Sequence, residues 1–220
     1  KTLSSGEKIP SIGLGTFGSD KYGAAEVAKA VYGAVKFGYR LIDCAQVYQN
    51  EAQIGEVLDQ LMREKVVKRE ELFIISKVWN DMHDKVHIAC KQSLKDLRLD
   101  YLDLYLVHWP FRNYHAPGCD GDYRNPDAKP FSVDEYMETW RQCEELVEKG
   151  LVRYIGMSNM TIPKLEAVLP MCRIKPAVLE MELHPSFQQP ELFDYAISHN
   201  MLPIGYCPLG SPSRPERDRT

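Results

Sequence analysis

The sequence predicts an α/β fold in which parallel strands and helices alternate around a (β/α)8 TIM barrel. Short apolar segments alternate with helical segments of about ten to fifteen residues, which is typical of repeated β-α-β units. Polar side chains also stand where the apolar segments end, and in a barrel these ends meet at one rim. Before the first unit, residues 1–10 predict a short β-hairpin that turns at Ser5-Gly6.

The first half of the chain contains four predicted strands and three predicted helices. Gly38 follows a segment with apolar residues at helical spacing and is expected to end that helix. Asn50 is expected to cap the next helix, with Glu51 in its first turn. The predicted strands are 12–17, 40–43, 72–77 and 102–107, and the predicted helices are 24–37, 50–62 and 84–97.

The second half repeats the pattern after a long irregular loop at residues 110–130, which is rich in Pro, Gly, Asn and Asp. Ser132 and Glu135 resemble a capping box, and Gly150 closes the helix that they begin. The predicted strands are 152–157, 176–182 and 202–206, and the predicted helices are 132–149, 161–169 and 190–199.

A doubly wound sheet is the alternative arrangement of the same units. The first β-α turn does not favour it, because GLGT at residues 13–16 lacks the spacing of a dinucleotide-binding fingerprint. An open sheet would also spread the strand-end polar residues along an edge. These are Asp43, Lys77, His108, Ser158, Glu180 and Tyr206. We therefore expect residues 1–220 to form one barrel domain, whose last strand and helices lie beyond Thr220.

Composition limits the class of protein. The 220 residues are 44% hydrophobic and 26% charged with a net charge of −4, which indicates one soluble domain. Without a basic stripe or a long apolar run, we expect neither nucleic acid nor a membrane as partner. The N-terminus has no signal-peptide pattern, and the six cysteines are scattered. These features predict a cytoplasmic protein with reduced thiols and no metal site.

The segment RLIDCAQVYQNE at residues 40–51 organises the predicted rim. It delivers Asp43 at the end of a strand and Tyr48 after a short polar connection, and Lys77 and His108 end the next two strands. Each residue taken alone has an ordinary explanation: a half-buried packing tyrosine, a solvated lysine, a turn aspartate or a core histidine. Their placement after successive strands favours an active site in which Tyr48 donates a proton.

Several motifs in sequence order resemble the aldo-keto reductase family, in particular its aldose and aldehyde reductases. They are GYRLIDCAQVYQNE, LFIISK, LDYLDLYLVHWP, EKGLVRYIGMSN and GYCPLGS. The resemblance implies a (β/α)8 barrel that reduces carbonyls with NADPH or, less commonly, NADH. It also implies a catalytic tetrad of Asp43, Tyr48, Lys77 and His108.

The chemistry of carbonyl reduction is consistent with that tetrad. Hydride delivery to a carbonyl carbon leaves an alkoxide that needs a proton, and a free tyrosine is a poor acid at neutral pH. We expect Lys77 to lower the pKa of Tyr48, with Asp43 holding the charge of the buried ammonium. His108 is expected to donate a hydrogen bond to the carbonyl oxygen and orient it.

The resemblance also implies the cofactor contacts. Ser158 and Asn159 would bind the nicotinamide carboxamide, and Tyr206 would stack on the ring. The other implied cofactor-binding residues are Gly15, Thr16, Asp43, Glu180, Leu209 and Ser211. Glu180 stands where the family usually has Gln. If Glu180 is ionised it should stabilise the oxidised, cationic ring, and the alternative is a harmless substitution beside a cation.

Aromatic and apolar residues near the rim are the expected substrate walls, although each is equally consistent with ordinary packing. With the two tetrad members that face the substrate, the set is Phe17, Val47, Tyr48, Trp79, His108, Trp109 and Phe111. The loop that follows is polar, which suits a hydroxylated substrate such as an aldose or sugar phosphate, or equally a solvated loop. Its polar residues are Arg112, Asn113, His115, Asp120, Asp122 and Arg124.

The sequence therefore predicts NAD(P)H-dependent reduction of an aldehyde, aldose or sugar-phosphate carbonyl to the alcohol. The alternative is a cofactor-binding regulatory subunit of the same family without significant turnover, although such a role would not need Tyr48. A phosphate-binding isomerase barrel is a third possibility, but the expected Gly-rich phosphate loop is missing. The partner is then a small-molecule carbonyl substrate. The choice between NADPH and NADH and the oligomeric state stay open.

Overall fold

The computed structural model describes residues 1–18, 21–112 and 129–210. Within these ranges the chain forms seven strands and six helices in alternation. The strands are β1 (Gly13–Gly15), β2 (Leu41–Asp43), β3 (Phe73–Val78), β4 (Leu102–Val107), β5 (Val152–Ser158), β6 (Val178–Glu182) and β7 (Leu202–Tyr206). The helices are α1 (Ala24–Lys36), α2 (Glu51–Arg63), α3 (Val86–Leu97), α4 (Val133–Glu148), α5 (Ile162–Val168) and α6 (Pro190–Ser198).

All strand pairs in the sheet are parallel, and each strand pairs with the next one in the chain, in the order β1 to β7. A doubly wound sheet would reverse its strand order at a switch point, and this sheet has no reversal. The seven strands therefore form a nearly closed barrel of the (β/α)8 type, as predicted. The doubly wound alternative is excluded.

The apolar side chains divide into two layers because successive residues of a strand point to opposite faces of the sheet. Ile42 and Ile74 belong to a large cluster between the strands and the helices. Leu41, Ile75 and Leu106 belong to a smaller cluster that fills the lower barrel interior. Every residue of β3 and β4 is buried, as expected for parallel strands covered on both faces.

The predicted N-terminal hairpin closes the amino-terminal end of the barrel. Thr2 pairs with Lys8 in one antiparallel bridge, and Leu3 and Ile9 pack into the lower interior cluster. Glu7 of the hairpin accepts a hydrogen bond of 2.5 Å from the guanidinium of Arg153. The hairpin therefore acts as a plug on the side opposite the predicted active site.

Most predicted elements agree with the structure to within one or two residues at their ends. The predicted strand 12–17 is the one most shortened in proportion, since only Gly13–Gly15 form β1. At the start of α4, Ser132 Oγ accepts a hydrogen bond of 3.4 Å from the backbone of Glu135, as predicted. Asn50 occupies the cap position of α2 but makes no cap hydrogen bond with its side chain. Its amide donates instead to the carbonyl oxygen of Thr16, at 2.8 Å.

The described residues were compared with the requirements for membrane-spanning helices, metal sites and disulfide bonds. None of their helices is both long and apolar enough to cross a membrane. They contain no cluster of histidine, cysteine and acidic residues suited to a metal ion. The five cysteines in the described ranges are free thiols, namely Cys44, Cys90, Cys143, Cys172 and Cys207.

Candidate active site

The period of two along each strand explains which polar residues reach the rim of the barrel. Asp43 lies two residues beyond Leu41, and Lys77 lies two residues beyond Ile75, so both continue an interior-facing row. The same spacing applies in the other strands, where His108 follows Leu106, Glu180 follows Val178, and Tyr206 follows Ile204. The lower interior is therefore apolar, and its upper layer is polar.

Lys77 lies at the centre of this upper layer and its side chain is 0% exposed. Its ammonium donates to a carboxylate oxygen of Asp43 and, at 3.0 Å, to the carbonyl oxygen of Cys44. A carboxyl oxygen of Glu180 lies 3.5 Å away. Burial disfavours the charge on Lys77, but Asp43 and Glu180 outweigh it and raise the pKa of Lys77 well above its ordinary value. Lys77 therefore keeps its positive charge at neutral pH.

Tyr48 ends a short 3₁₀ turn, Gln46–Tyr48, that follows β2. The ammonium of Lys77 lies 5.5 Å from the centre of the Tyr48 ring. Burial raises the pKa of Tyr48 above its ordinary value, Lys77 lowers it, and Asp43 and Glu180 raise it further. Lys77 lowers the pKa of Tyr48 as expected, but burial raises that pKa by more. The phenol consequently keeps its proton at neutral pH.

His108 lies beside Tyr48 in a group of aromatic rings. The His108 and Tyr48 ring centres are 5.8 Å apart, edge to face, and Trp79 lies 4.9 Å from His108 in a similar geometry. On the outer side, Phe17 lies 5.2 Å from Tyr48 and is 61% exposed. These rings form an aromatic wall beside Tyr48, and the wall is open to solvent at Phe17.

The next strand ends contribute Ser158, Asn159 and Tyr206. The side-chain amide of Asn159 donates to the carbonyl oxygen of His108 at 2.9 Å and to Ser158 Oγ at 3.2 Å. The hydroxyl of Tyr206 donates to the amide oxygen of Asn159 at 2.7 Å. Asn159 therefore ties three strands together, although the resemblance assigns it to the cofactor carboxamide.

Glu180 is 2% exposed and lies opposite Ser158 in the register of β5 and β6. One carboxyl oxygen faces Lys77, and the other, Oε2, has no hydrogen-bond partner among the described residues. Burial and the nearby charge of Asp43 raise the pKa of Glu180 to about 8, although Lys77 opposes this shift. Glu180 is thus the carboxyl group of this site that holds its proton more strongly than an ordinary glutamate.

Thr16 and Asn50 brace the Asp43 end of the site. Thr16 is buried, and its backbone N–H and its hydroxyl both donate to the carbonyl oxygen of Asp43, at 3.0 and 2.9 Å. Asn50 in turn donates to the carbonyl of Thr16. The neighbouring Gly15 is exposed, with open space where a Cβ would stand. The structure therefore gives Thr16 a supporting position below the site.

The remaining predicted residues lie further out or outside the described ranges. Val47 and Trp109 are half-buried, and Phe111 lies under the ammonium of Lys164 at 5.1 Å from its ring centre. Leu209 is 90% exposed. Ser211 and the polar loop from Asn113 onward lie outside the described residues, but Arg112 is described and pairs with Glu138 at 3.2 Å.

The sequence interpretation missed the carbonyl of Cys44 and the bracing role of Asn50. A signal for the first was available, because a buried ammonium has three donors and needs three acceptors. Asp43 and Glu180 supply two carboxyls, and the third had to come from backbone near one of them. Asn50 offered no comparable signal, since a helix cap was a sufficient explanation for it.

Comparison with known proteins agrees with this architecture. The model of the aldo/keto reductase family matches residues 11–220. The chain belongs to the aldo/keto reductase family. It is 46% identical over 215 residues to an aldo/keto reductase of Synechocystis sp. and 44% identical over 232 residues to glycerol 2-dehydrogenase (NADP(+)) of Hypocrea jecorina. The structure of the aldose reductase from Schistosoma japonicum matches with a TM-score of 0.84 at 40% identity.

These matches cover nearly all of the chain but only part of each relative. The aligned regions include 97% of this aldo/keto reductase chain and 64% of the Synechocystis protein, and 99% and 71% for the Hypocrea jecorina protein. For the Schistosoma japonicum structure the shares are 95% and 69%. The chain therefore spans somewhat under two thirds of the length of the Synechocystis relative.

Proposed function

We propose that this protein catalyses the reduction of a carbonyl compound to its alcohol, with NADPH as reductant and NADH as the less common choice. The overall reaction converts a carbonyl, NADPH and one proton into an alcohol and NADP⁺. The observation that carries the proposal is the buried Lys77–Asp43 pair placed against Tyr48 and His108. A purely structural ion pair would not need a phenol and an imidazole at its open side.

The polar residues of the rim fit a nicotinamide cofactor. Ser158 and Glu180 are both buried and adjacent in register, and Glu180 Oε2 has no partner in the described part of the chain. A primary carboxamide has both donors and acceptors, so it can satisfy this oxygen and the Ser158 hydroxyl. When bound, the nicotinamide would supply the hydride for the carbonyl carbon. Asn159 and Tyr206, which are bonded to each other here, would have to exchange that bond to reach the cofactor.

Tyr48 then provides the proton. As the carbonyl carbon gains its hydrogen, the π electrons move to the oxygen, and the O–H bond of Tyr48 breaks in favour of that oxygen. The phenol is protonated at neutral pH, and Lys77 stabilises the phenolate that forms. Solvent returns the proton to Tyr48. Positioned acids of this kind contribute roughly 10²–10⁴ in rate.

His108 and the surrounding rings position the substrate in this proposal. An imidazole N–H of His108 donates to the carbonyl oxygen, while Trp79 and Phe17 provide apolar walls on either side. The names of the relatives include an aldose reductase and a glycerol 2-dehydrogenase, whose substrates carry neighbouring hydroxyls. We therefore infer a small aldehyde, an aldose or a sugar phosphate as substrate. The protein is further proposed to act in the cytoplasm, which the free thiols support.

The proposal is tested by mixing the protein with NADPH and a simple aldehyde, then a simple aldose. We expect NADPH absorbance to fall only when the carbonyl compound is present, with one alcohol formed for each NADPH consumed. Cofactor binding is followed in parallel through quenching of tryptophan fluorescence. Binding without turnover of any carbonyl would contradict the proposal and favour the regulatory alternative. A protein that binds neither NADPH nor NADH would contradict both.

A further inference from the structure

The Lys77 cluster contains one more carboxyl group than its cation can neutralise. Asp43 and Glu180 both face the single ammonium of Lys77, so the buried group would carry a net negative charge if both were ionised. The two carboxyls are not equivalent. Asp43 receives a direct hydrogen bond from Lys77, whereas the nearest oxygen of Glu180 is 3.5 Å from the ammonium. Glu180 is therefore the carboxyl whose negative charge is less well compensated.

Hydrogen bonding points the same way. A buried carboxylate normally needs several donors, and Glu180 Oε2 receives none from the described residues. The backbone contact at this position is Asn159 N–H to the Glu180 carbonyl oxygen, at 3.0 Å, which does nothing for the side chain. By contrast, the buried carboxyl group of Glu51 receives hydrogen bonds from the hydroxyls of Ser76 and Ser93 at 2.6 and 2.8 Å. The surroundings of Glu180 suit a neutral acid that has a proton to donate.

The groups facing Glu180 limit what else can titrate with it. They are Asp43 from β2, Lys77 from β3, and the phenols Tyr48 and Tyr206, while β5 contributes the uncharged Ser158. Lys77 keeps its charge, and burial raises the pKa of both phenols above the ordinary value. Near pH 8 the ionisation of Glu180 therefore changes the charge of the site by one unit without either phenol losing its proton.

We propose that Glu180 is a proton-dependent selector between the two oxidation states of the nicotinamide cofactor, an inference that rests on the proposed function. As a neutral acid, Glu180 binds the carboxamide edge and leaves the affinities for the oxidised and reduced cofactor unbiased. After it loses its proton, the carboxylate attracts the positive charge of the oxidised ring and has no such attraction for the neutral reduced ring. Alkaline conditions then favour the oxidised cofactor and the direction of alcohol oxidation.

The test is the ratio of the dissociation constants of NADPH and NADP⁺, measured by tryptophan quenching between pH 6 and pH 9. For the wild type we expect the ratio of the two dissociation constants to shift about tenfold in favour of NADP⁺ binding across this range. Such a shift corresponds to a pKa of Glu180 that is about one unit lower in the NADP⁺ complex than in the NADPH complex. Glu180→Gln should show the neutral-pH ratio throughout. The matched control is Glu144→Gln, which neutralises a buried glutamate that accepts from the backbone of Arg173 and Ile174 instead. Glu144→Gln should behave as wild type.

A readout without cofactor tests the proton directly. Infrared spectra of the wild type at pH 7 should contain a protonated carboxyl band that fades as the pH passes about 8 and is missing from Glu180→Gln. Absence of that band, or a ratio of dissociation constants that does not differ between wild type and Glu180→Gln at any pH, would overturn this inference alone. Failure to bind either cofactor would overturn the proposed function, and the selector with it.

Discussion

Lys77 is the residue on which the site depends, because its charge is buried completely. Moving an ammonium from water to the protein interior costs several kcal/mol unless partners compensate for the lost hydration. Asp43, the Cys44 carbonyl and Glu180 surround the ammonium and provide that compensation. The same arrangement holds a positive charge 5.5 Å from the centre of the Tyr48 ring. Lys77 therefore serves both the stability of the barrel rim and the proposed proton transfer from Tyr48.

Lys77→Met is expected to lower the free energy of unfolding by about 3–5 kcal/mol, because it leaves the carboxyl groups of Asp43 and Glu180 without a cation. Urea unfolding followed by circular dichroism measures this loss. The double variant Lys77→Met with Asp43→Asn should recover part of it. Lys149→Met, which removes an exposed cation paired with Glu145, should cost about 0–1 kcal/mol. A cost for Lys77→Met no larger than that of this control would show that the buried ammonium does not stabilise the barrel rim.

For single residues, the sequence predicted which side chains stand near strand ends better than it predicted how those side chains affect one another. Lys77 and His108 were expected at the rim because each follows an apolar strand, and the period of two carries them to one interior layer, whereas Tyr48 lies on the short turn after β2. The sign of the pKa change at Tyr48 was not predictable in the same way. It depends on how deeply the ring is buried and on a second carboxyl, Glu180, and both follow from tertiary packing.

Among the elements, α2 and α3 approach each other at Gly55. A Cβ built on Gly55 would lie 2.0 Å from the backbone oxygen of Asp96 and 2.8 Å from the backbone of Leu97. Backbone atoms cannot turn away as a flexible side chain can, so only glycine allows this contact. The position matters for the site because α2 begins immediately after Asn50, which braces Thr16 and the carbonyl of Asp43.

Gly55→Ala is therefore expected to destabilise the protein by about 1–3 kcal/mol, since the helices must separate to admit one methyl group. The matched control is Gly33→Ala in the interior of α1, where a Cβ would meet nothing within 4 Å. That change should stabilise the protein by up to about 1 kcal/mol, because alanine loses less backbone entropy than glycine. Chemical denaturation measures the free energy of unfolding of both variants. Equal changes in that free energy would show that α2 and α3 are not in close contact at Gly55.

Element types were predictable because strands and helices carry different apolar periods, and buried parallel strands read as continuous apolar runs. The strand at 102–107 and the final strand at 202–206 have the predicted bounds. The strand at 12–17 was predicted too long, because Gly13–Gly15 can pair only over the three residues that β2 offers. Such limits are set by the partner strand and leave no local trace in the sequence.

In the whole molecule, hydrogen bonds and ion pairs around Asp103 link the strands at the lower end of the barrel. Asp103 is 1% exposed. Its carboxylate accepts from Arg69 at 2.7 Å, from the backbone of Ile74 at 2.9 Å and from Arg153 at 3.1 Å. Arg153 also binds Glu7 of the N-terminal hairpin. One buried carboxylate therefore connects β3, β4 and β5 and, through Arg153, the plug that closes this end.

Asp103→Ala should cost about 3–5 kcal/mol of folding free energy, because it leaves a buried N–H of Ile74 without its acceptor and removes the buried carboxylate partner of Arg69 and Arg153. Asp59, which pairs with Arg63 and Arg98 on the surface of α2, offers a control, and Asp59→Ala should cost about 0–1 kcal/mol. Thermal unfolding at neutral pH compares the two. A small effect for Asp103→Ala would mean that the hairpin and strands do not depend on this carboxylate.

The barrel as a whole was predictable from the alternation of elements together with the polar residues at strand ends. The network around Asp103 was not, because Arg69, Asp103 and Arg153 are far apart in the sequence and each is unremarkable as a surface residue. The sequential strand order also follows only from the pairing of each strand with the next. It is this order that brings Asp43, Lys77 and His108 to adjacent positions around one opening.

Proton delivery through Tyr48 at the barrel rim is tested by comparing turnover with cofactor binding in Tyr48→Phe. We predict that aldehyde-dependent NADPH consumption falls by roughly 10²–10⁴ while the dissociation constant of NADPH stays within a few-fold of wild type. Tyr22→Phe, which removes the hydroxyl of an exposed tyrosine, should match wild type in both. Retention of wild-type turnover by Tyr48→Phe would show that Tyr48 is not the proton donor.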